Sequence, residues 1–246
     1  LAIEVEGADR VVYSATLCAI DPITNLALLK VDGAYFSNVV SITPTKTLLP
    51  PGAPVFSVQH CYTRSQTTPV PGTMGNSGID GYGYQLSMDR ALHEEYFQAI
   101  MPVFHDSDGA PIFDQEGNLL GLLAIEYRVA HYPGIVFAVP AWMIADVATD
   151  LIEHGKRERG ALGITIDPPT LTVVEAYAGQ AAARAGIQPG DVIRSFNGSP
   201  VRNVVQLYVQ ILRTRPSQAV LVGIQRKNQD YQIVVRMDTY LLSSGR

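Results

Sequence analysis

The first 150 or so residues consist of short apolar runs separated by glycine and proline, with no long helical pattern between them. Short runs at this spacing are typical of an all-β barrel or sandwich. A stretch rich in Thr, Pro, Gly and Ser, from Thr63 to Gly83, is predicted to be a loop. The runs that predict strands are Arg10 to Ile20, Leu26 to Val31, Ala53 to Val58, Leu119 to Tyr127 and Gly134 to Val139.

One helix is predicted after Pro140. Apolar residues between Trp142 and Ile152 recur near helical spacing, and the pattern stops at His154-Gly155, which is a glycine C-terminal signal. The charged segment 156–160 that follows is flanked by glycine and is predicted to be a linker. The sequence therefore predicts one domain over residues 1–155 and a second over residues 161–246.

The second domain is predicted to contain strands and one helix. Asn203 is a plausible N-cap for a helix that runs to about Arg213, with Pro216 just beyond its end. Asn197-Gly198 is a strong signal for a tight turn between two strands.

Composition excludes several classes of protein. Of the 246 residues, 47% are hydrophobic and 17% charged, which is typical of a globular chain. The net charge of −5 and the lack of an extended basic cluster argue against a nucleic-acid partner. Because the chain starts at Leu1 inside a strand-like alternation, we expect a processed or truncated piece, and any signal peptide or anchor would lie upstream of it.

The two cysteines, Cys18 and Cys61, fall in segments predicted to be neighbouring strands. A disulfide is possible in an oxidising compartment, and two buried free thiols are the simpler interpretation. Cysteine usage leaves the compartment undecided.

Two sets of motifs resemble one known family. The stretch His105 to Phe113 resembles the nucleophile loop of a trypsin-like serine protease, and residues 185–201 resemble the PDZ domain of the HtrA (high-temperature-requirement) family. Segments 117–121, 134–140 and 159–164 are similar to the last barrel strands of that family and to its entry into PDZ. The resemblance implies a mainly β fold: a trypsin-like double β-barrel, incomplete at its N-terminal barrel, followed by a small α+β PDZ domain.

The resemblance also implies a damaged active site. Gly109-Ala110-Pro111 keeps the frame of the nucleophile loop, which puts Asp108 on the serine position, Asp106 on an oxyanion-hole glycine and Asn25 on the triad aspartate. An aspartate is already ionised at neutral pH and opposes the growing oxyanion. The triad histidine would fall before Leu1. We therefore expect a pseudoprotease and not an enzyme.

Two alternatives concern the same loop. Ser107 could act as the nucleophile of an active serine endopeptidase with an unorthodox site, if the loop slips by one residue and a base comes from outside the motif. His105, Asp106 and Asp108 could instead hold a divalent ion, although hydrogen bonding within the loop is the simpler explanation. We expect no metal and no cofactor.

A peptide-binding groove is implied by the PDZ resemblance. In PDZ domains a peptide adds as a strand to an open sheet edge, and backbone N–H groups of a glycine-containing loop hold its carboxylate. Such donors need no particular side chain, so this site can persist independently of catalysis. The residues assigned to it are Gly160, Ala161, Leu162, Gly163, Ile164, Ile166, Tyr208 and Ile211.

The expected role is that of a binding, scaffolding or regulatory subunit for protein partners or peptide C-termini. An upstream segment or a partner chain is expected to complete the first barrel, because an open β edge promotes aggregation. A homo- or hetero-oligomer is possible. By resemblance the location is extracytoplasmic or organellar, with membrane contact only through a missing N-terminal anchor.

Overall fold

The computed structural model describes residues 2–7, 9–33, 39–42, 49–60, 67–76, 79–80, 95–104, 107–124 and 134–240. The chain divides into two compact units, Leu1–Arg157 and Glu158–Arg246. Strands dominate both units, which confirms the predicted mainly β class.

Unit 1 begins with a three-stranded antiparallel sheet in the order β1-β2-β3. Its strands are β1 (Ile3–Glu6), β2 (Val12–Asp21) and β3 (Leu26–Val31). Leu17, Ile20 and Leu29 of this sheet are exposed, and Cys18 is an exposed free thiol. The interpretation of two buried thiols is therefore wrong for Cys18, whereas Cys61 lies outside the described residues.

A closed barrel forms the rest of unit 1. Its sheet has the order β10-β9-β8-β4-β5-β7-β6, and β10 also pairs with β7, which closes the ring. The strands are β4 (Pro54–His60), β5 (Thr67–Met74), β6 (Ile79–Asp80), β7 (Glu95–Ile100), β8 (Pro111–Phe113), β9 (Leu119–Leu123) and β10 (Ile135–Pro140).

The prediction of a loop from Thr63 to Gly83 is wrong where β5 and β6 form. Proline cannot donate to a β ladder, so Pro69 and Pro71 argued against a strand. Seven residues of β5, 67–73, pair with β4, whereas β7 pairs only with Thr73 and Met74. Pro69 and Pro71 therefore lie in the part of β5 that pairs with β4 on one side and, among the described residues, with no strand on the other.

The predicted helix after Pro140 is confirmed as α1 (Ala141–His154). It ends at Gly155, whose φ of 69° is left-handed and whose N–H donates to the carbonyl of Leu151 at 3.1 Å. Met143 and Val147 pack with Phe137 in one core cluster. A glycine at this C-terminal position avoids the strain that a Cβ would bring.

Unit 2 contains a sheet in the order β12-β13-β14-β16-β17, with β15 on β14, and a separate β11-β18 pair. Its core includes Ile193, Leu207 and Val222, each fully buried. The elements are β11 (Gly160–Ala161), β12 (Ile164–Asp167), β13 (Thr172–Ala176), α2 (Ala181–Arg184), β14 (Val192–Phe196), β15 (Ser199–Pro200), α3 (Val204–Leu212), β16 (Ala219–Arg226), β17 (Gln229–Arg236) and β18 (Asp238–Thr239).

Two local predictions for unit 2 are confirmed. The side chain of Asn203 caps α3 by accepting from the N–H of Gln206 at 2.8 Å. Asn197 and Gly198, with φ of 48° and 78°, form the tight turn between β14 and β15. Both residues were identified by local physical chemistry that does not depend on distant contacts.

Candidate functional site

Residues Ser107 to Ala110 form a tight turn just before β8, here called the Ser107 turn. The N–H of Ala110 donates to the carbonyl of Ser107 at 3.0 Å, and Gly109 has a left-handed φ of 78°. Two backbone bonds of 2.8 Å tie the turn to β9, from Gly109 N–H to Leu123 O and from Leu123 N–H to Ala110 O. The backbone of the turn is therefore fixed by the barrel.

The two candidate nucleophile positions differ in environment. Asp108 is exposed at the tip of the turn. Ser107 is only 2% exposed, and its Oγ finds no hydrogen-bond partner among the described residues. A buried hydroxyl without a partner is costly, so it calls for a structural or chemical reason.

Gln59 is a site residue that sequence reasoning missed. It lies fully buried on β4, and its Oε1 accepts from the N–H of Phe104 at 3.1 Å while its Nε2 donates to the carbonyl of Pro102 at 3.1 Å. These bonds fix the segment that leads into the Ser107 turn. The partners are more than 40 residues apart in sequence, so no local pattern could have revealed them.

The other positions assigned to the damaged active site lie in a different sheet from this turn or outside the described residues. Asn25 is exposed in the turn between β2 and β3, with a left-handed φ of 56°. It belongs to the three-stranded sheet, whereas the Ser107 turn belongs to the barrel. His105 and Asp106, and with them the metal and oxyanion hypotheses, lie outside the described residues. Within the described ranges, no three His, Cys, Asp or Glu side chains are grouped as a metal site.

The residues assigned to the peptide loop, here called the 160–163 loop, are the two of β11, Gly160 and Ala161, and the two that link β11 to β12, Leu162 and Gly163. The Gly160 N–H donates to the carbonyl of Thr214 at 2.9 Å, and the Leu162 and Gly163 carbonyls accept from Ala182 and Tyr177. Gly163 has a left-handed φ of 71°, and a Cβ there would collide with the Gln180 side chain. Among the described residues, no carbonyl accepts from the N–H groups of Leu162 and Gly163.

The residues assigned to the groove lie on β12 and α3. β12 is the edge strand of its sheet, paired on one side with β13. Ile166 and Ile211 are buried in the unit 2 core, and Ile164 and Tyr208 are partly buried against it. The structure thus combines a strand edge, an apolar surface and a loop with free N–H donors.

Comparison with known protein families gives two matches in chain order. Residues 2–122 match the trypsin-like peptidase domain, and residues 172–226 match the PDZ domain. These two domains in this order, together with the relatives below, support assignment to the HtrA family. Proteins of this family that match it include a probable periplasmic DegP-like serine endoprotease of Bartonella henselae, 29% identical over 94% of the chain, and the periplasmic pH-dependent serine endoprotease DegQ of Escherichia coli, 25% identical over 95%.

The alignments cover most of this chain but only part of each relative. The alignments cover 47% and 53% of the two relatives, so the chain spans about half the length of the curated HtrA proteins it matches. Solved structures agree in fold. The HtrA-type protease AlgW with decapeptide has a TM-score of 0.81 at 23% identity, covering 98% of this chain and 76% of its own. The serine endoprotease from Yersinia pestis has a TM-score of 0.74 at 23% identity, covering 97% and 80%.

These matches correct the functional expectation. The prediction that the protein is a pseudoprotease and not an enzyme is wrong, because its HtrA relatives are named serine endoproteases and the comparison points to a protease. The prediction rested on Asp108, Asp106 and Asn25 in the aligned catalytic positions and on a triad histidine expected before Leu1. A scaffolding role has no support from the relatives either. No helix in the described part of the chain has the length and apolarity to cross a membrane.

Proposed function

We propose that the protein is an HtrA-type serine endoprotease of an extracytoplasmic compartment that recognises peptides through its PDZ domain. The observation that carries the proposal is the match over nearly the whole chain to relatives named as periplasmic serine endoproteases. In this proposal residues 1–155 form the trypsin-like part, 156–160 the linker and 161–246 the PDZ domain. The boundary between the two compact units, at Arg157 and Glu158, falls within this proposed linker.

Ser107 is the proposed nucleophile. Its Oγ is buried in a turn whose backbone is tied to β9, and the hydroxyl has no partner in the described structure, as expected of a group held ready for another partner. In the reaction the Oγ attacks the scissile carbonyl and passes its proton to a base outside the motif, and the same base returns a proton to the leaving amine. Asp108 stays exposed at the tip, where solvent screens its charge.

Cleavage of casein by the full-length protein tests this assignment. We predict that Ser107→Ala lowers the rate by about 10⁴-fold or more, because covalent catalysis is lost, whereas Asp108→Ala keeps at least a third of it. Intrinsic fluorescence of Trp142, the single tryptophan, checks that unit 1 remains folded in both variants. Equal loss in the two variants, or activity that survives Ser107→Ala, contradicts the assignment.

The PDZ groove is the proposed peptide site. β12 offers a strand edge, Ile164 and Tyr208 offer apolar surface, and the N–H groups of Leu162 and Gly163 are available to a terminal carboxylate. HtrA-type proteases have been solved with a decapeptide and with a tripeptide. A heptapeptide selected by C-terminal display against the full chain should bind at least tenfold more weakly once its carboxylate is amidated, because charge-assisted hydrogen bonds are lost.

The proposal includes a partner for the three-stranded sheet. Leu17, Ile20 and Leu29 are each at least 39% exposed, and exposed apolar side chains on a small sheet promote association. An upstream segment of the same protein or a partner chain would cover them, in a homo- or hetero-oligomer. Size-exclusion chromatography of this chain alone as a well-behaved monomer counts against that partner.

A further inference from the structure

Behind the 160–163 loop lies an ion pair between Arg184 and Asp238. The guanidinium Nη2 donates to Asp238 Oδ1 at 2.7 Å, and Nη1 donates to Oδ2 at 3.1 Å. Asp238 Oδ2 also accepts from the backbone N–H of Ala181 at 2.7 Å, at the start of α2. One carboxylate thus ties β18 to both ends of the short helix α2.

Both elements joined by this pair hold the 160–163 loop. Asp238 stands opposite Ala161 in the β11-β18 ladder. From the other side, the N–H of Ala182 in α2 donates to the carbonyl of Leu162 at 2.9 Å, and the Gln180 side chain lies against Gly163. The ion pair therefore completes a closed set of contacts around the loop.

We propose that Arg184 and Asp238 are positioning residues of the peptide loop: their ion pair fixes α2 against β18, and so sets the direction of the Leu162 and Gly163 N–H donors. The inference rests on the proposed peptide groove. Backbone donors bind a carboxylate well only when they are aimed at it before it arrives. Neither residue needs to touch the peptide.

The pair also controls charge beside the loop. Asp238 is an anion next to the place where a peptide carboxylate would bind, and Arg184 compensates it. Removing Arg184 alone leaves an uncompensated anion there, which disfavours a second one nearby. Removing both charges eliminates that repulsion, although α2 then loses the ion pair that ties it to β18.

A double-mutant cycle in the full 246-residue chain separates these effects. Binding of the displayed heptapeptide is measured by calorimetry for wild type, Arg184→Met, Asp238→Asn and the double variant. We expect Arg184→Met to weaken binding about tenfold and Asp238→Asn about threefold, with the double variant binding better than Arg184→Met alone. Asparagine keeps an oxygen that can accept from Ala181, which is why its effect is the smaller one.

The Asp191–Arg226 pair supplies a matched control. Arg226 Nε and Nη2 each donate to Asp191 at 2.7 Å, and the pair joins the residue before β14 to the last residue of β16. Its further hydrogen bonds go to Gln188 and Gly186, which lie outside the 160–163 loop. Arg226→Met should lower the stability of unit 2 but leave heptapeptide affinity unchanged in folded protein. Asp230→Asn, an exposed change of the same charge on β17, should alter neither property.

Amide NMR shifts test the inference apart from peptide binding. In the peptide-free chain, Arg184→Met should move the Leu162 and Gly163 amide resonances, and Arg226→Met should not. Unchanged resonances, or unchanged affinity in a folded Arg184→Met variant, overturn the inference. Failure of the wild type to bind any displayed peptide, with the resonances moving as expected, instead overturns the proposed groove and leaves only the positioning of the loop.

Discussion

The Ser107 turn and the 160–163 loop both depend on a glycine with left-handed backbone angles, but the structure holds them by different interactions. The Ser107 turn is fixed by backbone bonds to β9 and by the neutral amide of Gln59 on the segment before it. The 160–163 loop is fixed through α2, which an ion pair ties to β18. Proposed catalysis therefore depends on the identity of one side chain, whereas proposed peptide binding depends on the direction of backbone donors.

The largest expected difference between the two loops comes from their glycines. Gly163→Ala should destabilise unit 2 by about 3 kcal/mol, because left-handed strain adds to the collision with Gln180. Gly109→Ala should cost only about 1 kcal/mol, because its Cβ would point into open space and only the strain remains. Hydrogen-exchange mass spectrometry resolves the two units. Equal costs in the two variants would contradict this difference, and Gly163→Ala with Gln180→Gly should recover the collision part, because the Cβ of Gln180 is itself 2.5 Å from the position of the added methyl group.

The next largest effect is the destabilisation of unit 1 on substitution of Gln59, and it should be confined to the barrel. Gln59→Leu removes the partners of the Phe104 N–H and the Pro102 carbonyl, and should destabilise unit 1 by about 2 kcal/mol. Denaturant unfolding followed by Trp142 fluorescence reports on unit 1, since Trp142 packs in its core. Gln232→Leu, an exposed change on β17, is the control. A shift of heptapeptide affinity on Gln59→Leu would show that the two loops are not held separately.

The smallest expected effect is a dependence of stability on pH, which should appear around the 160–163 loop and not around the Ser107 turn. The Arg184 hydrogen bonds lower the pKa of Asp238, and the Ala181 N–H lowers it further against the effect of burial. Burial raises the pKa of Asp191, but the bonds from Arg226 and Gln188 outweigh it and lower the pKa overall. A carboxyl whose pKa is depressed in the folded state stabilises that state fully at pH values above the ordinary aspartate pKa of 3.8. This stabilisation is lost as the pH falls through the pKa of the folded state.

Hydrogen exchange of unit 2 should therefore be unaffected by these groups from pH 7 to about 5 and should speed up below about pH 4, after correction for the intrinsic exchange rate. Asp238→Asn should flatten part of that dependence. The Gln59 contacts are neutral and contribute no such slope to unit 1. A loss of unit 2 protection already between pH 7 and 5 would assign the dependence to other groups.

Local sequence signals predicted much of the fold. The α1 helix with its Gly155 stop, the Asn203 cap and the Asn197-Gly198 turn each follow from residues within a few positions of one another, and the structure confirms them. The sequence did not predict β5, because proline is rare inside paired strands. Pro69 and Pro71 are tolerated since that part of β5 has a paired strand on only one side among the described residues. Local chemistry could not show which side of that strand would be unpaired.

The candidate site was less accessible to sequence reasoning. The contacts of Gln59 with Phe104 and of Arg184 with Asp238 join residues 45 and 54 positions apart, which only the folded chain brings together. The error about enzymatic activity has a different origin. The aligned frame places an aspartate, Asp108, on the serine position and so predicts no nucleophile, although Ser107 stands beside it. The assignments of the peptide loop stay predictions until binding is measured.

Labelling of the full-length protein with a serine-directed fluorophosphonate probe tests directly whether Ser107 is the nucleophile. We expect one covalent adduct, mapped by peptide mass spectrometry to Ser107, retained in Asp108→Ala and absent in Ser107→Ala. No adduct in protein that is folded by Trp142 fluorescence, or an adduct at another serine, would contradict it.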